Sequence, residues 1–350
     1  MRRAVIRLGL EALYFGGARR LLGGPWAGVG AILTLHRVRP ARDAPFQPNR
    51  FLEVTPQFLD GAICALRREG FEFISIDEMH QRLRAADFKH RFVCLTFDDG
   101  YRDNLDWAYP ILKRHQAPFA IYVSTSFPDR RGDLWWFTLE AVIAASDQIE
   151  VALDGGVRRF ACRTTAQKYA TVDAIHRELR ALPSEERARA AIAHLAARVG
   201  VDPAAHCATL CMNWQELAEL AADPVVTIGA HTVNHPRLRK TSEPAARREM
   251  AESAARIEAM LGIHPAHFSY PFGDPMSAGP REFALARQLG FKTAVTTRPG
   301  VLFPEHREHL MALPRISLNG DFQRLRYLQV LTSGAATALW NRFRRIDVAA

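Results

Sequence analysis

The chain has 350 residues, 48% hydrophobic and 24% charged, a globular composition that excludes a fibrous or disordered protein. Five scattered cysteines, with no C-x-x-C pair, argue against a disulfide framework or a cysteine-bound zinc. The net charge of +9 is uneven, since residues 1–50 hold nine arginines against Glu11 and Asp43, but no nucleic-acid-binding signature accompanies it and no nucleic acid is expected as a partner.

Ile6, Leu10, Leu13, Tyr14 and Leu21 recur at helical spacing and predict a basic amphipathic helix within residues 1–29. Such a helix either packs on the domain or lies on an anionic membrane surface. Met1-Arg2-Arg3 begins like an export signal, but Arg7 and Glu11 interrupt the apolar stretch that a signal needs. Export is therefore not expected, and the cytoplasm is the expected compartment. No uncharged apolar run reaches the ~18 residues of a membrane-spanning helix.

Short apolar runs then alternate with helical patterns. The expected strands are Ala31–Leu35, Glu72–Ile76, Phe92–Phe97, Phe119–Ser124, Val225–Ala230, His267–Tyr270, Lys292–Thr296 and Leu313–Ser317. Helices are expected at Pro56–Glu69, Asp103–His115, Ala245–Leu261 and Arg281–Leu289, the last stopped by Gly290. This alternation predicts an α/β fold, a distorted (β/α) barrel of seven or eight strands over residues 30–321. The rhythm breaks at about 130–212, where the strand-like pieces Glu150–Leu153 and Val157–Cys162 precede a long polar helical stretch through Val199. That interval reads as a mainly helical insertion over one face of the barrel, and residues 322–350 as a C-terminal helical tail.

Three segments at the carboxyl ends of expected strands carry the chemistry, because barrel active sites are built there. In Thr96-Phe97-Asp98-Asp99-Gly100-Tyr101 two adjacent carboxylates point in different directions, so one can bind a metal while the other faces a reacting centre. Taken alone, Asp-Asp-Gly is also a common solvated turn. In His231-Thr232-Val233-Asn234-His235-Pro236 a helical turn after the strand would set both imidazoles on one metal; otherwise one ends the strand and the other faces solvent. Two histidines and a carboxylate leave open positions for water, which suits a catalytic divalent ion. Ser269-Tyr270-Pro271-Phe272-Gly273-Asp274-Pro275 forces a bend at the barrel rim, where a backbone N–H can face a ligand.

In this order and on this background, the T-F-D-D-G-Y and H-T-x-x-H-P segments resemble those of the polysaccharide deacetylase family, the NodB-homology fold of carbohydrate esterase family 4. The resemblance runs from about Gly30 to Asp321. It implies hydrolysis of N-acetyl, sometimes O-acetyl, groups on glycans with a divalent metal, most often zinc. It matches Asp98 to the general base, Asp99, His231 and His235 to the metal ligands, and the Phe272 backbone N–H to the oxyanion site.

Two family elements are missing. The usual Arg-x-Pro-Tyr reads Ser269-Tyr270-Pro271-Phe272, so the arginine that steadies the base is absent; Arg315 either supplies that guanidinium from the last strand or forms a salt bridge elsewhere on the rim. The late Leu-x-His that supplies the general acid is also absent, as no histidine follows His309. Leu35-His36-Arg37-Val38 resembles instead the early Tyr-His-x-Val of poly-N-acetylglucosamine deacetylases, which gives His36 the acid role. Trp135-Trp136 offers either sugar-stacking surfaces or core packing, Asp103 is expected to cap the following helix, and His264, His267, His306 and His309, which have no partner at ligand spacing, are expected to be surface or structural residues. The expected function is metal-dependent removal of N-acetyl groups from an amino sugar of a polysaccharide or its lipid-linked precursor. The basic amino terminus favours a precursor at the inner membrane face. A glycan-binding protein without turnover and a deacylase of a non-sugar amide are the alternatives.

Overall fold

Runs of β-branched and aromatic residues become parallel strands in the computed structural model, which describes residues 2–17, 24–153 and 156–348. Numbered in chain order, the strands are Gly30–Leu35 (β1), Arg37–Val38 (β2), Glu53–Val54 (β3), Glu72–Phe73 (β4), Phe92–Asp98 (β5), Phe119–Val123 (β6), Gln148–Leu153 (β7), Gly156–Ala161 (β8), Val226–Ala230 (β9), His267–Ser269 (β10), Thr293–Pro299 (β11) and Leu313–Ser317 (β12). Seven of them form the ring β1-β12-β11-β10-β9-β6-β5, which closes where β5 pairs with β1 from Gly30↔Phe92 to Leu35↔Phe97. β4 adds two residues beside the start of β5. The expected strand at 72–76 is cut short because Ser75 caps a helix, its hydroxyl accepting from the Glu78 N–H.

Alternation along β5 sorts its side chains. Val93, Leu95 and Phe97 join the core shared with the surrounding helices, whereas Phe92 and Cys94 join an inner cluster with Ile32, Tyr122, Val295 and Leu313. Thr96 and Asp98 continue the inner row towards the carboxyl end of the barrel, where the functional groups collect. Gly229 of β9 makes room in that layer: a Cβ there would meet the Tyr122 ring at 2.5 Å and the His267 carbonyl at 3.0 Å.

The described helices, again in chain order, are Arg2–Phe15 (α1), Pro56–Arg68 (α2), Ile76–Ala85 (α3), Tyr109–Arg114 (α4), Trp135–Ala145 (α5), Thr165–Ala181 (α6), Glu185–Val199 (α7), Pro203–Leu210 (α8), Trp214–Ala221 (α9), Glu243–Leu261 (α10), Pro280–Gln288 (α11), Leu325–Thr332 (α12) and Ala335–Trp340 (α13). The insertion comprises α5, the antiparallel β7–β8 hairpin, α6, α7 and α8, and it has its own core around Trp135, Ile149, Ile175 and Ile192. Its expected single helix through Val199 is two, because Pro183 intervenes and Ser184 caps the second by accepting from the Arg187 N–H. The amphipathic helix at the amino terminus ends at Phe15, and Leu21 lies outside the described residues. Asp103 does not cap its helix with its side chain. Its carboxylate accepts instead from Arg37 Nε, at 2.7 Å, and from the Val38 N–H.

Candidate active site

β5 carries Asp98 to the top of the inner row, and the chain then turns through left-handed conformations at Asp99 (φ 75°) and Gly100 (φ 70°). The turn sends the two neighbouring carboxylates to different partners. Arg315 of β12 grips Asp98 with both arms, Nη1 to Oδ1 at 2.8 Å and Nη2 to Oδ2 at 2.6 Å. Its remaining N–H groups donate to the Thr296 carbonyl, Thr96 Oγ1 and Ser269 Oγ, so all five donors are used. Burial pushes the Asp98 pKa up, but the Arg315 charge, with His231, outweighs it and holds the carboxyl below its ordinary range.

His231 follows β9 directly, and its Nδ1 lies 2.6 Å from the Ser269 carbonyl. A carbonyl only accepts, so Nδ1 carries a proton, and Nε2 faces the site. The helical turn expected between the two histidines is absent: Thr232 (φ 67°) and His235 (φ 56°) are left-handed, and the His235 N–H donates to Thr232 Oγ1. Glu249 of α10 fixes this loop by accepting from the Val233 and Asn234 N–H groups at 2.9 and 2.8 Å. The two Nε2 atoms thereby stand 3.5 and 3.3 Å from Asp99 Oδ1.

One donor atom from each of these three buried residues lies within 4.8 Å of the others, and Asp99 Oδ1 has no hydrogen-bond partner among the described residues. Burial lowers the His235 pKa, which keeps its imidazole neutral, and Asp99 is held well below the ordinary carboxylate range because the adjacent histidines overcome its burial. Two imidazole nitrogens and an ionised carboxylate oxygen, preassembled on buried side chains, are a donor set that fits a divalent ion.

The other residues singled out in the sequence line the same cavity of about 340 Å³ or stand behind it. His36 follows β1, where pairing of Leu35 with Phe97 brings it level with Asp98. Phe272 is left-handed (φ 62°), and no acceptor among the described residues takes its N–H. Its ring is 5.0 Å from the His235 ring. Arg315 does not line the cavity; it reaches it only through Asp98. Trp135 and Trp136 are both buried and both border the cavity, with Trp136 Nε1 donating to the Tyr101 hydroxyl at 3.1 Å. His267 and His306 are buried away from it, whereas His264 is exposed.

Several lining residues were not singled out from the sequence, among them three that bring imidazole or guanidinium groups. His176 and Arg180 come from α6, and Arg237 lies just beyond the histidine pair. Burial lowers the His176 pKa to about 4, so it presents a neutral ring, 5.2 Å from that of Trp135. Arg237 stands 4.3 Å over the Phe272 ring and pairs with buried Glu185 at 2.8 Å. No local signal marks the residues of α6, because the insertion has no periodicity that relates it to the barrel.

A family model described as polysaccharide deacetylase matches residues 85–294. Comparison with curated proteins gave no match. Among solved structures, Streptococcus pyogenes deacetylase PplD in complex with acetate is 19% identical with a TM-score of 0.56, over 86% of this chain and 97% of that one. IcaB from Ammonifex degensii is 17% identical with a TM-score of 0.52, over 87% and 97%. BC0361, a polysaccharide deacetylase from Bacillus cereus, is 13% identical with a TM-score of 0.52, over 87% and 68%. These likenesses agree with a distorted barrel of the NodB-homology type, and the family match spans more than half of the sequence: the chain belongs to the polysaccharide deacetylase family.

Proposed function

We propose that the protein is a metal-dependent hydrolase that removes N-acetyl groups from an amino sugar of a polysaccharide or its lipid-linked precursor. The observation that carries this reading is Asp98 gripped by Arg315 immediately beside the Asp99, His231 and His235 donor set. Asp99, His231 and His235 would hold the ion, taken as zinc, which when bound polarises the amide carbonyl and acidifies water.

The chain's own groups divide the remaining work. Asp98 accepts the proton of the attacking water, and Arg315 keeps its oxygens aimed at the cavity. The unengaged Phe272 N–H faces the oxygen on which negative charge develops. His36, which lines the same cavity, gives a proton to the departing amine. The indoles of Trp135 and Trp136 offer apolar surface to a pyranose ring.

The test is acetate release from N-acetylglucosamine oligomers together with metal content by mass spectrometry, for wild type, Asp98→Asn and His36→Ala. The expected outcome is about one metal per chain in all three, with turnover reduced about 10²–10⁴-fold in each variant. Metal bound without release of acetate from any saccharide, lipid-linked ones included, would turn the reading to glycan binding alone. Absence of bound metal would remove it.

A further inference from the structure

The amino-terminal helix shows two apolar faces, and only one is covered. Leu10 is buried against Tyr327 and Val330 of α12, with Ile6, Leu13 and Tyr14 around it, and Glu11 is gathered in by Arg324, Arg326 and the Tyr327 hydroxyl. Those contacts seat α1 on the carboxyl-terminal helices. The opposite face carries Ala4, Val5, Leu8, Ala12 and Phe15, positions that fall on one stripe at 100° per residue and include no charge. Val5, Leu8 and Phe15 are 66%, 70% and 74% exposed. Next to α1, α13 and the turn after it leave Leu339, Trp340 and Phe343 about half exposed. Single exposed apolar residues are ordinary, but six gathered on two touching segments are an interaction surface.

The same helix is fastened to the rim of the cavity. Arg3 Nε lies 3.0 Å from Asp321 Oδ2, Arg7 Nη2 donates to the Asp321 carbonyl at 2.9 Å, and Asp321 lines the cavity. Arg7 remains exposed beside the apolar stripe, and Arg342 and Arg344 flank Phe343. No helix among the described residues is long and apolar enough to cross a membrane. Apolar side chains bordered by arginines, on a helix lying along the surface, match the interface of an anionic bilayer, where the rings and aliphatic groups enter the headgroup layer and the guanidinium groups meet phosphates. Two copies of this chain placed face to face would set these arginines against one another.

We propose that α1 and α13 dock the protein onto an anionic phospholipid surface and thereby hold the cavity rim beside it, where a lipid-linked saccharide can enter. The route of substrate rests on the deacetylase reading above; the docking does not. The experiment is co-sedimentation with phosphatidylcholine vesicles, with and without one third phosphatidylglycerol, for wild type and for the triple variant Val5→Ser, Leu8→Ser, Phe15→Ser. Wild type is expected to bind the anionic vesicles at least tenfold more tightly than the neutral ones, and the triple variant to lose that binding about tenfold. Thermal unfolding and acetate release from soluble oligomers are expected to be unchanged in the variant, since none of the three side chains touches the cavity. Wild type that stays in the supernatant with anionic vesicles overturns the proposal. So does a stable dimer in light scattering that the triple variant abolishes, which would assign the surface to self-association. Vesicle binding with no deacetylation would uphold the docking and sink only the enzymatic reading.

Discussion

At the residue scale the site turns on an exchange. Ser269 stands where the family motif has arginine, and its hydroxyl accepts from the Arg315 guanidinium, 3.0 Å away. A small side chain on β10 is what leaves room for a long one arriving from β12. Arg315→Gln should therefore lower kcat about 100-fold with metal content unchanged, the usual effect of losing a group that orients a reacting one. Returning the guanidinium from the other strand, with Ser269→Arg in an Arg315→Ser background, should recover turnover above that of Arg315→Ser alone. Equal rates for the two would show that Asp98 needs more than a neighbouring guanidinium. Asp98, Asp99, His231 and His235 were legible in the sequence because each sits in a short segment at a strand end. The choice between Arg315 on the base and Arg315 elsewhere on the rim was not, since it depends on side chains more than 200 positions apart in the chain.

At the element scale, strands could be read because burial on both faces writes continuous apolar runs. α5 could not, as Trp135–Ala145 is apolar nearly all round and shows no helical stripe. The turn between His231 and His235 escaped for a different reason: its left-handed residues are Thr232 and His235, not glycines, and Glu249 holds them from another helix. The tight layer under the site makes β9 sensitive, so Gly229→Ala should cost about 1–3 kcal/mol in urea unfolding through collision with Tyr122. The short helical turn Pro304–Glu308 yields a pH effect. His306 is buried there, its Nδ1 accepting from the Phe303 N–H, and burial lowers its pKa from 6.5 to about 4. Between those values the unfolded chain binds more protons than the folded one, so stability falls as pH drops through the window. His306 contributes at most about 3 kcal/mol of that loss. His306→Asn, which keeps an acceptor, should lose less stability than wild type between pH 7 and pH 4.5 in the same titration.

At the scale of the whole molecule, the insertion is bolted over the cavity by polar contacts between distant segments. Arg237 and Glu185 are both buried, Arg180 meets Asp274 at 2.7 Å across the rim, and the Lys240 ammonium donates to the Arg180 and Leu182 carbonyls. Sequence patterns announce an insertion by its broken rhythm but carry no record of where it docks, because such pairs have no period. Glu185→Ala would strand a buried guanidinium and should cost about 3–5 kcal/mol in unfolding experiments. It should also raise KM more than it lowers kcat, since Arg237 borders the cavity while Asp98 is held from β12. Removing both charges, with Glu185→Leu and Arg237→Met, should restore most of the stability but not KM.

The closure of the ring has a consequence for how the protein comes into being. The first barrel strand ends in His36 and the last contains Arg315, and they lie side by side, joined where Leu33 meets Ile316. A growing chain that has emerged from the ribosome only as far as Met311 already contains Asp98, Asp99, His231 and His235, yet nothing grips the Asp98 carboxylate and the barrel has a gap beside β1. The complete constellation thus arrives with the final strand, all at once, and a prematurely terminated product can own Asp99, His231 and His235 without the guanidinium that grips Asp98.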